Sequence, residues 1–366
     1  MDANMQNTPK ITKETKNKIR VDFDRTPLKE RLKAKFVNLY FFQKVMWSIF
    51  RYVLLVGLSY VVLFPFITKI AGSFMAPEDF VDVTVRLIPK NFTLDTYRAI
   101  FFELDYWEAF VNTFTVSLLG AILQTFVCCL VAYGLAKFRF RGNKIVMLLV
   151  VLTMIVPHQT LQLSIFMGFR YFDILGILSF LSGGASIGFM PESFNELLAG
   201  IRVLNLPDHS ITLLNTYWPL LILSATGLAF KNGLYIFMLR QFFSGVPDAL
   251  EESAYIDGSG VFHTFFTIIL PLSIPMMVTV FLFAFCWQWM DDFYTGLFFT
   301  TAKIKLMPAI VDIPPSLKTT YAGQNMYYAA IKNTCGLCII MPLVVLYCFG
   351  QNFLVQGIER SGLTAE

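Results

Sequence analysis

Long uninterrupted apolar runs are the feature that most constrains this chain. A helix needs about 20 apolar residues to cross a bilayer. The chain is 56% hydrophobic and only 15% charged, whereas a soluble domain carries about 25% charged residues. The runs are too long and continuous for the strands of a membrane barrel. They predict an all-α membrane protein with six transmembrane helices at about 47–66, 110–135, 145–166, 217–239, 271–290 and 333–354.

Basic residues set the expected orientation of these spans. Residues 1–45 form a polar tail rich in Lys and Arg, which the positive-inside rule places in the cytosol. The tail lacks the apolar core and cleavage site of a signal peptide. With six spans the C-terminus is also cytosolic, and so is the basic loop KFRFRGNK at 137–144. The expected segments are the tail at 1–45, a first span within 46–70, an external loop at 71–106, a core at 107–358 with an external insertion at about 171–216, and a cytosolic end at 359–366.

Prolines and the large external segments add local expectations. Pro157 in the third span and Pro275 in the fifth are expected to kink or locally open their helices. Within the external segment after the third span, residues 191–203 show apolar residues at helical spacing and predict a short amphipathic helix. This segment, and those at 72–106 and 291–332, could bind an external partner or could be ordinary connections.

Several kinds of chemistry are not indicated. All six cysteines fall within predicted spans, and Cys335-x-x-Cys338 has no second pair beside it, which favours two small core side chains on one helix. The three histidines are scattered, so neither a metal site nor a Ser-His-Asp set is predicted. No G-x-x-x-x-G-K-[ST] occurs. We therefore expect no cofactor in this chain, and if ATP powers it, the ATPase is another polypeptide. The basic residues sit mostly in one polar tail, which argues against a nucleic-acid partner.

The stretch PDALEESAYIDGSGVFHTFFTIILP at 247–271, hereafter the 247–271 loop, is acidic and aromatic although it lies between two spans. Pro247 and Asp248 are typical of a helix start, and Gly258 favours a left-handed helix end. A second helix is predicted from Val261. The two helices would lie along the cytosolic membrane surface with exposed carboxylates. An amphipathic membrane-surface segment is the alternative, but such segments favour Lys and Arg.

The pattern E-S-A-x-x-x-G-x9-I-x-L-P in this loop resembles the EAA loop of ABC importer permeases. It runs from Glu252 to Pro271, with Ser253 where the second residue is usually Ala. The resemblance covers roughly 108–358 and implies the type I ABC importer transmembrane fold. The carbohydrate branch of the family, the maltose-permease kind, is similar in NTFTVSLLGAILQTFVCCLVAYGLAKFRFRGNK (112–144), YIFMLRQFF (235–243) and QNFLVQGI (351–358).

The resemblance implies a role for the 247–271 loop. Its helices would dock in a groove of an ATPase subunit, where Glu252 would pair with a basic residue and Gly258 would make the turn. The implied partners are a second homologous permease, two ATPase subunits or domains that bind ATP and Mg, an extracytoplasmic solute-binding protein and membrane lipid. The implied location is the cytoplasmic membrane of a prokaryote. The implied coupling residues are Leu250, Glu252, Ser253, Ala254, Gly258, Phe265, Ile268, Leu270 and Pro271.

The translocation path is less well marked. Lys231 and Asn232 interrupt the fourth span, and a charge within a span normally faces an interior cavity or a partner. Two interpretations of Lys231 and Asn232 stay open: they line the path of a sugar, or they stabilise the packing of the helix bundle. Trp287, Trp289, Asp291 and Asp292 offer stacking faces and acceptors for sugar hydroxyls, or form an interfacial aromatic belt and a helix end. No Asp or Glu lies within spans two to five, so Lys231 favours an acidic oligosaccharide unless the partner permease supplies a carboxylate.

Three classes of function remain after these considerations. The first is the permease subunit of an ATP-driven importer, either of a carbohydrate such as an oligosaccharide or of a non-sugar solute. A secondary transporter or channel needs no docking loop and often shows two similar halves. A membrane enzyme needs clustered catalytic residues near one interface, and none is found. The sequence favours the first class.

Overall fold

The structure, a computed structural model, describes residues 11–14, 20–23, 39–173, 212–301, 303–320 and 324–363. The chain divides into two compact units, Met1–Lys69 and Ile70–Glu366. The first unit contains two antiparallel strands, β1 (Ile11–Glu14) and β2 (Arg20–Phe23), with Ile11 opposite Phe23. It also contains helix α1 (Leu39–Gly72) except for the last turn.

The regular elements described in the second unit are helices. Short 3-10 turns lie at Pro77–Phe80, His158–Leu161, Met307–Ile310 and Pro315–Leu317. The helices are α2 (Asp95–Glu103), α3 (Tyr106–Lys137), α4 (Asn143–Ile155), α5 (Gln162–Arg170), α6 (Trp218–Ala225), α7 (Asn232–Ser244), α8 (Ala249–Ile256), α9 (Val261–Trp289), α10 (Phe293–Phe298) and α11 (Gln324–Leu363).

Four helices in the described residues, α1, α3, α9 and α11, are long and apolar enough to cross a membrane. α4 and the helical segment His158–Arg170 would together make a fifth span, but they are bent by 94°. The bend confirms the kink predicted at Pro157, since Val156 is extended (ψ 119°) as a residue before proline must be. Pro275 lies inside α9, which continues through it to Trp289, so the kink expected at Pro275 stays a prediction.

The fourth predicted span, 217–239, is not one helix. α6 ends at Ala225, and the backbone turns through left-handed conformations at Gly227 (φ 75°) and Lys231 (φ 68°) before α7 begins. Neither half reaches the length that a bilayer requires. Hydropathy averages over such a break, so it predicted a single span where the structure has two short helices.

Helix α3 is the centre of the second unit. It packs against α6, α7 and α9, and α9 packs in turn against α11. Small residues on α3 allow this close approach: a Cβ added at Gly120 would lie only 2.7 Å from Gln288 Oε1 on α9. Cys335 and Cys338 lie buried on α11, the arrangement favoured from the sequence. The largest fully buried side chains around this core include Trp289, Tyr235, Phe243, Leu239 and Ile269.

The end of the bundle where α3 begins is covered by ordered connections, and we call it the capped end. Asp79 is buried and accepts hydrogen bonds from the backbone N–H groups of Lys90 and Asn91, each at 3.0 Å from Oδ2. The Met307 N–H donates to Thr113 Oγ1 at 2.8 Å. The opposite end, where α3 finishes, carries the 247–271 loop. The predicted helix at 191–203 lies outside the described residues.

Candidate functional site

Helix α8 forms the first half of the 247–271 loop and ends as predicted. Gly258 has φ 83°. Its N–H donates to Tyr255 O at 3.0 Å, and the Ser259 N–H donates to Ala254 O at 2.9 Å. This pair of hydrogen bonds is a Schellman motif, which satisfies two carbonyl groups at the helix end. The left-handed helix end predicted at Gly258 is confirmed.

The second half of the loop differs from the prediction of a separate short surface helix. From Val261 the chain runs as one helix to Trp289, with a π turn over Phe265–Ile269 that takes the place of a break. Phe265 is buried, whereas Phe262 is exposed. Because α9 is continuous, a displacement of this end of the loop moves the helix that crosses the whole bundle.

Lys137, the last residue of α3, holds α8 to the bundle. Its Nζ donates to Val246 O and to Asp248 Oδ1, both at 2.6 Å, and lies 3.9 Å from Glu251 Oε1. The Lys137 side chain is only 5% exposed. Its hydrogen bond lowers the pKa of the Asp248 carboxyl, while burial raises the pKa of Glu251. Sequence reasoning missed this contact, because Lys137 was counted with the basic loop although it lies in the last turn of an apolar helix.

The outer face of the loop is open. Glu252 and Ser253 are exposed on α8, and the apolar side chains of Ile256 and Phe262 are 86% and 79% exposed. Leu250 is also exposed. Large exposed apolar side chains grouped beside a carboxylate are typical of a surface that binds another protein. We call this group, Leu250, Glu252, Ser253, Ile256 and Phe262, the outer face.

Other residues expected to couple to an ATPase lie on the inner side. Ala254 is buried against its own chain, as is Phe265. Ile268 and Leu270 are partly buried against the same core, and Pro271 is exposed. The motif therefore combines residues that anchor the loop with residues that are free to contact a partner.

The helix end at Gly258 gives a prediction with an internal control. Gly258→Ala puts a Cβ on a left-handed residue, which costs about 1 kcal/mol or more, although nothing lies within 4 Å of that Cβ. Gly260→Ala meets equally open space, and its φ of −81° suits alanine. Amide hydrogen exchange across 249–258 is expected to speed up several-fold in Gly258→Ala and to stay unchanged in Gly260→Ala. Equal exchange in the two variants would contradict the assignment.

The break between α6 and α7 forms a second polar region, deep in the bundle. Gln124 Nε2, from α3, donates to Phe230 O at 2.8 Å and also to Asn232 Oδ1. Non-helical backbone at membrane depth is tolerated only where such partners are supplied. Asn232 Nδ2 is buried without a hydrogen-bond partner in the described residues. The sequence analysis singled out Asn232 but missed Gln124, whose signal is a long amide side chain near the middle of a predicted span.

Lys231 lies at this break with its ammonium between two aromatic rings. Nζ is 4.8 Å from the ring centroid of Phe230 and 4.9 Å from that of Trp287. The His158 ring lies 4.8 Å from the Phe230 ring. Among the described residues no carboxylate comes within 4.0 Å of this ammonium. A cavity of about 20 Å³ adjoins the rings and is lined in part by Gln124, Gln288 and Asp291.

The structure separates the four residues expected at the end of the fifth span. Trp287 is 49% exposed and lies beside Lys231, whereas Trp289 is fully buried and donates from Nε1 to Ile339 O at 3.0 Å. Asp291 Oδ2 accepts from the N–H groups of Tyr294 and Thr295 at the start of α10. Asp292 is exposed. Trp289 is thus a core residue, and one Asp291 oxygen is occupied in holding a helix end.

These features agree with a comparison against known families. Residues 124–360 match the family described as "Binding-protein-dependent transport system inner membrane component". The chain belongs to this family. The match includes the 247–271 loop and the broken fourth span, and it confirms the resemblance to importer permeases. Among the described residues no three His, Cys, Asp or Glu side chains group as metal ligands would.

Curated relatives extend over most of the permease. It is 28% identical over 303 residues to the polygalacturonan/rhamnogalacturonan transport system permease protein of Bacillus subtilis, which covers 80% of this chain and 89% of that one. It is 23% identical over 313 residues to the maltodextrin transport system permease protein of Streptococcus pneumoniae, covering 85% and 93%.

One solved structure has a similar fold. It is the crystal structure of a bacterial ABC transporter involved in the import of the acidic polysaccharide alginate, and one chain of it aligns with a TM-score of 0.59. The alignment covers 85% of this permease and 97% of that chain at 17% identity. At this identity the likeness concerns the fold alone.

Proposed function

We propose that this permease is one half of the pore of an ATP-driven importer of oligosaccharides in a bacterial cell membrane. A separate ATPase, which binds ATP and Mg, drives it through the 247–271 loop. The other proposed components are a second homologous permease, a second ATPase subunit or domain and an extracytoplasmic solute-binding protein.

The single observation that supports coupling best is the two-sided construction of the loop. Lys137 ties α8 to the end of α3, and α9 continues from the loop through the bundle. On the outer face, the side chains of Glu252, Ile256 and Phe262 are exposed and can contact a partner protein. A partner that moves this face therefore moves α3 and α9, two of the four described helices that can span a membrane.

The proposed topology places six spans with both termini in the cytosol. α1, α3, α9 and α11 supply four, the bent pair at 143–170 supplies a fifth, and α6 with α7 supply a sixth as a broken span. Broken helices at membrane depth are common in transporters, where they line the substrate path. This arrangement puts the 247–271 loop and the basic residues of 137–144 on the same cytosolic side.

A carbohydrate is the substrate class that the relatives favour. The two curated relatives above are named for polygalacturonan/rhamnogalacturonan and maltodextrin transport, and a third, from Bacillus subtilis, is named for galactooligosaccharides. An exposed Trp287 ring is a suitable stacking face for a sugar, since pyranose C–H groups pack on aromatic rings.

Purification of the tagged chain in mild detergent tests this assignment. We expect an ATPase and a second permease to co-purify, with ATP hydrolysis that increases when sugar and the binding protein are added. A purified chain that hydrolyses ATP alone, or that transports sugar without ATP, would falsify it.

A further inference from the structure

The proposed function does not by itself explain why a positively charged side chain, Lys231, lies at the break between α6 and α7. A charged side chain at membrane depth is costly and normally faces a partner or a water-filled path rather than lipid. Lys231 is partly buried and its ammonium contacts two aromatic rings. No carboxylate of the described residues lies within 4.0 Å of it, and the nearby Asp291 lines the adjoining cavity. Cation–π contacts stabilise the ammonium without neutralising it.

The backbone adds to the positive potential at this point. α7 begins at Asn232, directly after Lys231, and the first N–H groups of a helix carry a partial positive charge. Asn232 Nδ2 is a further buried donor without a partner among the described residues. Half-helix ends of this kind bind anionic substrate groups in transporters with broken helices.

A stacking surface lies beside the cation. The ring of Trp287 is half exposed and its centroid is 4.9 Å from Lys231 Nζ, so a sugar ring that stacks there brings its substituents within reach of the ammonium. The adjoining cavity of about 20 Å³ holds a water molecule at most, not a sugar. The sugar would therefore contact the exposed face of Trp287 and not enter this small cavity.

We propose that Lys231 and Trp287 form a subsite for a carboxylate-bearing sugar, a uronate residue of the transported oligosaccharide. The ammonium binds the carboxylate by a charge-assisted hydrogen bond, and the indole stacks on the pyranose ring. The subsite rests on the proposed function, because it selects among oligosaccharides that the importer moves.

Uptake by the complete importer with its binding protein tests the subsite. The two probes are trigalacturonate and its fully methyl-esterified form, which has the same backbone without the negative charges. Wild type is expected to import the acid faster. Lys231→Met is expected to lower the preference for the acid by about ten- to hundredfold, the usual effect of one hydrogen bond to a charged group. Both proteins use the same binding protein, so its own preference cancels in the comparison.

Matched variants separate selection from damage. Lys332→Met removes a lysine from the exposed side of α11 and should leave the preference unchanged, and Lys231→Arg should retain it. Trp287→Leu should slow the uptake of both probes equally and keep the preference for the acid over the ester. This variant tests the subsite even if Lys231→Met is not inserted in the membrane.

Two results overturn the subsite. They are a Lys231→Met variant with an unchanged preference for the acid over the ester, and an equal loss of both probes in that variant at normal abundance. If wild type imports no oligosaccharide at all, the proposed function itself fails.

Discussion

Lys137→Met is expected to release α8 from the end of α3 and to abolish most ATP-dependent uptake. The variant leaves the buried carboxylate of Glu251 without its cation, and breaking one partner of a buried ion pair costs about 3 kcal/mol. Burial already raises the pKa of Glu251, so this carboxyl takes up a proton more readily, which limits the cost. Asp248 is exposed and stays solvated. Amide hydrogen exchange across 245–258 measures the release directly.

Two variants make this test specific. Arg139→Met removes a positive charge two residues further on, from an exposed side chain, and should change stability by no more than about 0.5 kcal/mol. The double variant Lys137→Met/Glu251→Gln removes the unpaired carboxylate as well, and should recover part of the protection. Equal exchange in Lys137→Met and Arg139→Met would show that Lys137 does not hold the loop.

Glu252→Lys is expected to keep the fold and lose the ATPase. Glu252 is exposed and has no partner among the described residues, so its reversal leaves the permease intact. At a docked interface the reversed charge costs roughly 2 kcal/mol or more, which corresponds to about 30-fold weaker binding. The measurement is the amount of ATPase that co-purifies per permease, taken together with sugar uptake and membrane abundance.

The control for this variant lies at the capped end. Glu108→Lys makes the same charge reversal in the first turn of α3, while the loop contacts the last turn of that helix, about 45 Å away along its axis. ATPase recovery should match wild type. Normal ATPase recovery and normal uptake by Glu252→Lys would exclude Glu252 from the docking surface.

Local signals in the sequence predicted part of this structure well. The left-handed turn at Gly258 and the kink at Pro157 each follow from one residue whose backbone preferences are strong. The EAA-like spacing located the loop, and the family match confirms the kind of protein. These predictions succeed because each depends only on the backbone preferences or the spacing of residues that are close together in the sequence.

Predictions that depend on tertiary contacts were less complete. The fourth span was expected to be continuous, but Gln124 from another helix satisfies Phe230 O and so makes the break possible. Lys137 was counted only as a basic residue of the cytosolic loop 137–144. Its role is set by hydrogen bonds to Val246 O and Asp248 Oδ1, more than a hundred residues away in the sequence. Trp289 and Trp287 could not be separated by composition, and only the packing of α9 puts one in the core and the other at Lys231.

Sugar uptake into proteoliposomes tests the central claim, that a separate ATPase drives import through the 247–271 loop, most directly. The purified complex is reconstituted with ATP enclosed, and the binding protein is added outside with radiolabelled trigalacturonate or maltotriose. We expect uptake of at least one sugar only when ATP and the binding protein are both present, and loss of that uptake in Glu252→Lys complexes. Uptake that continues without ATP, or that is unaffected by Glu252→Lys, would contradict the account.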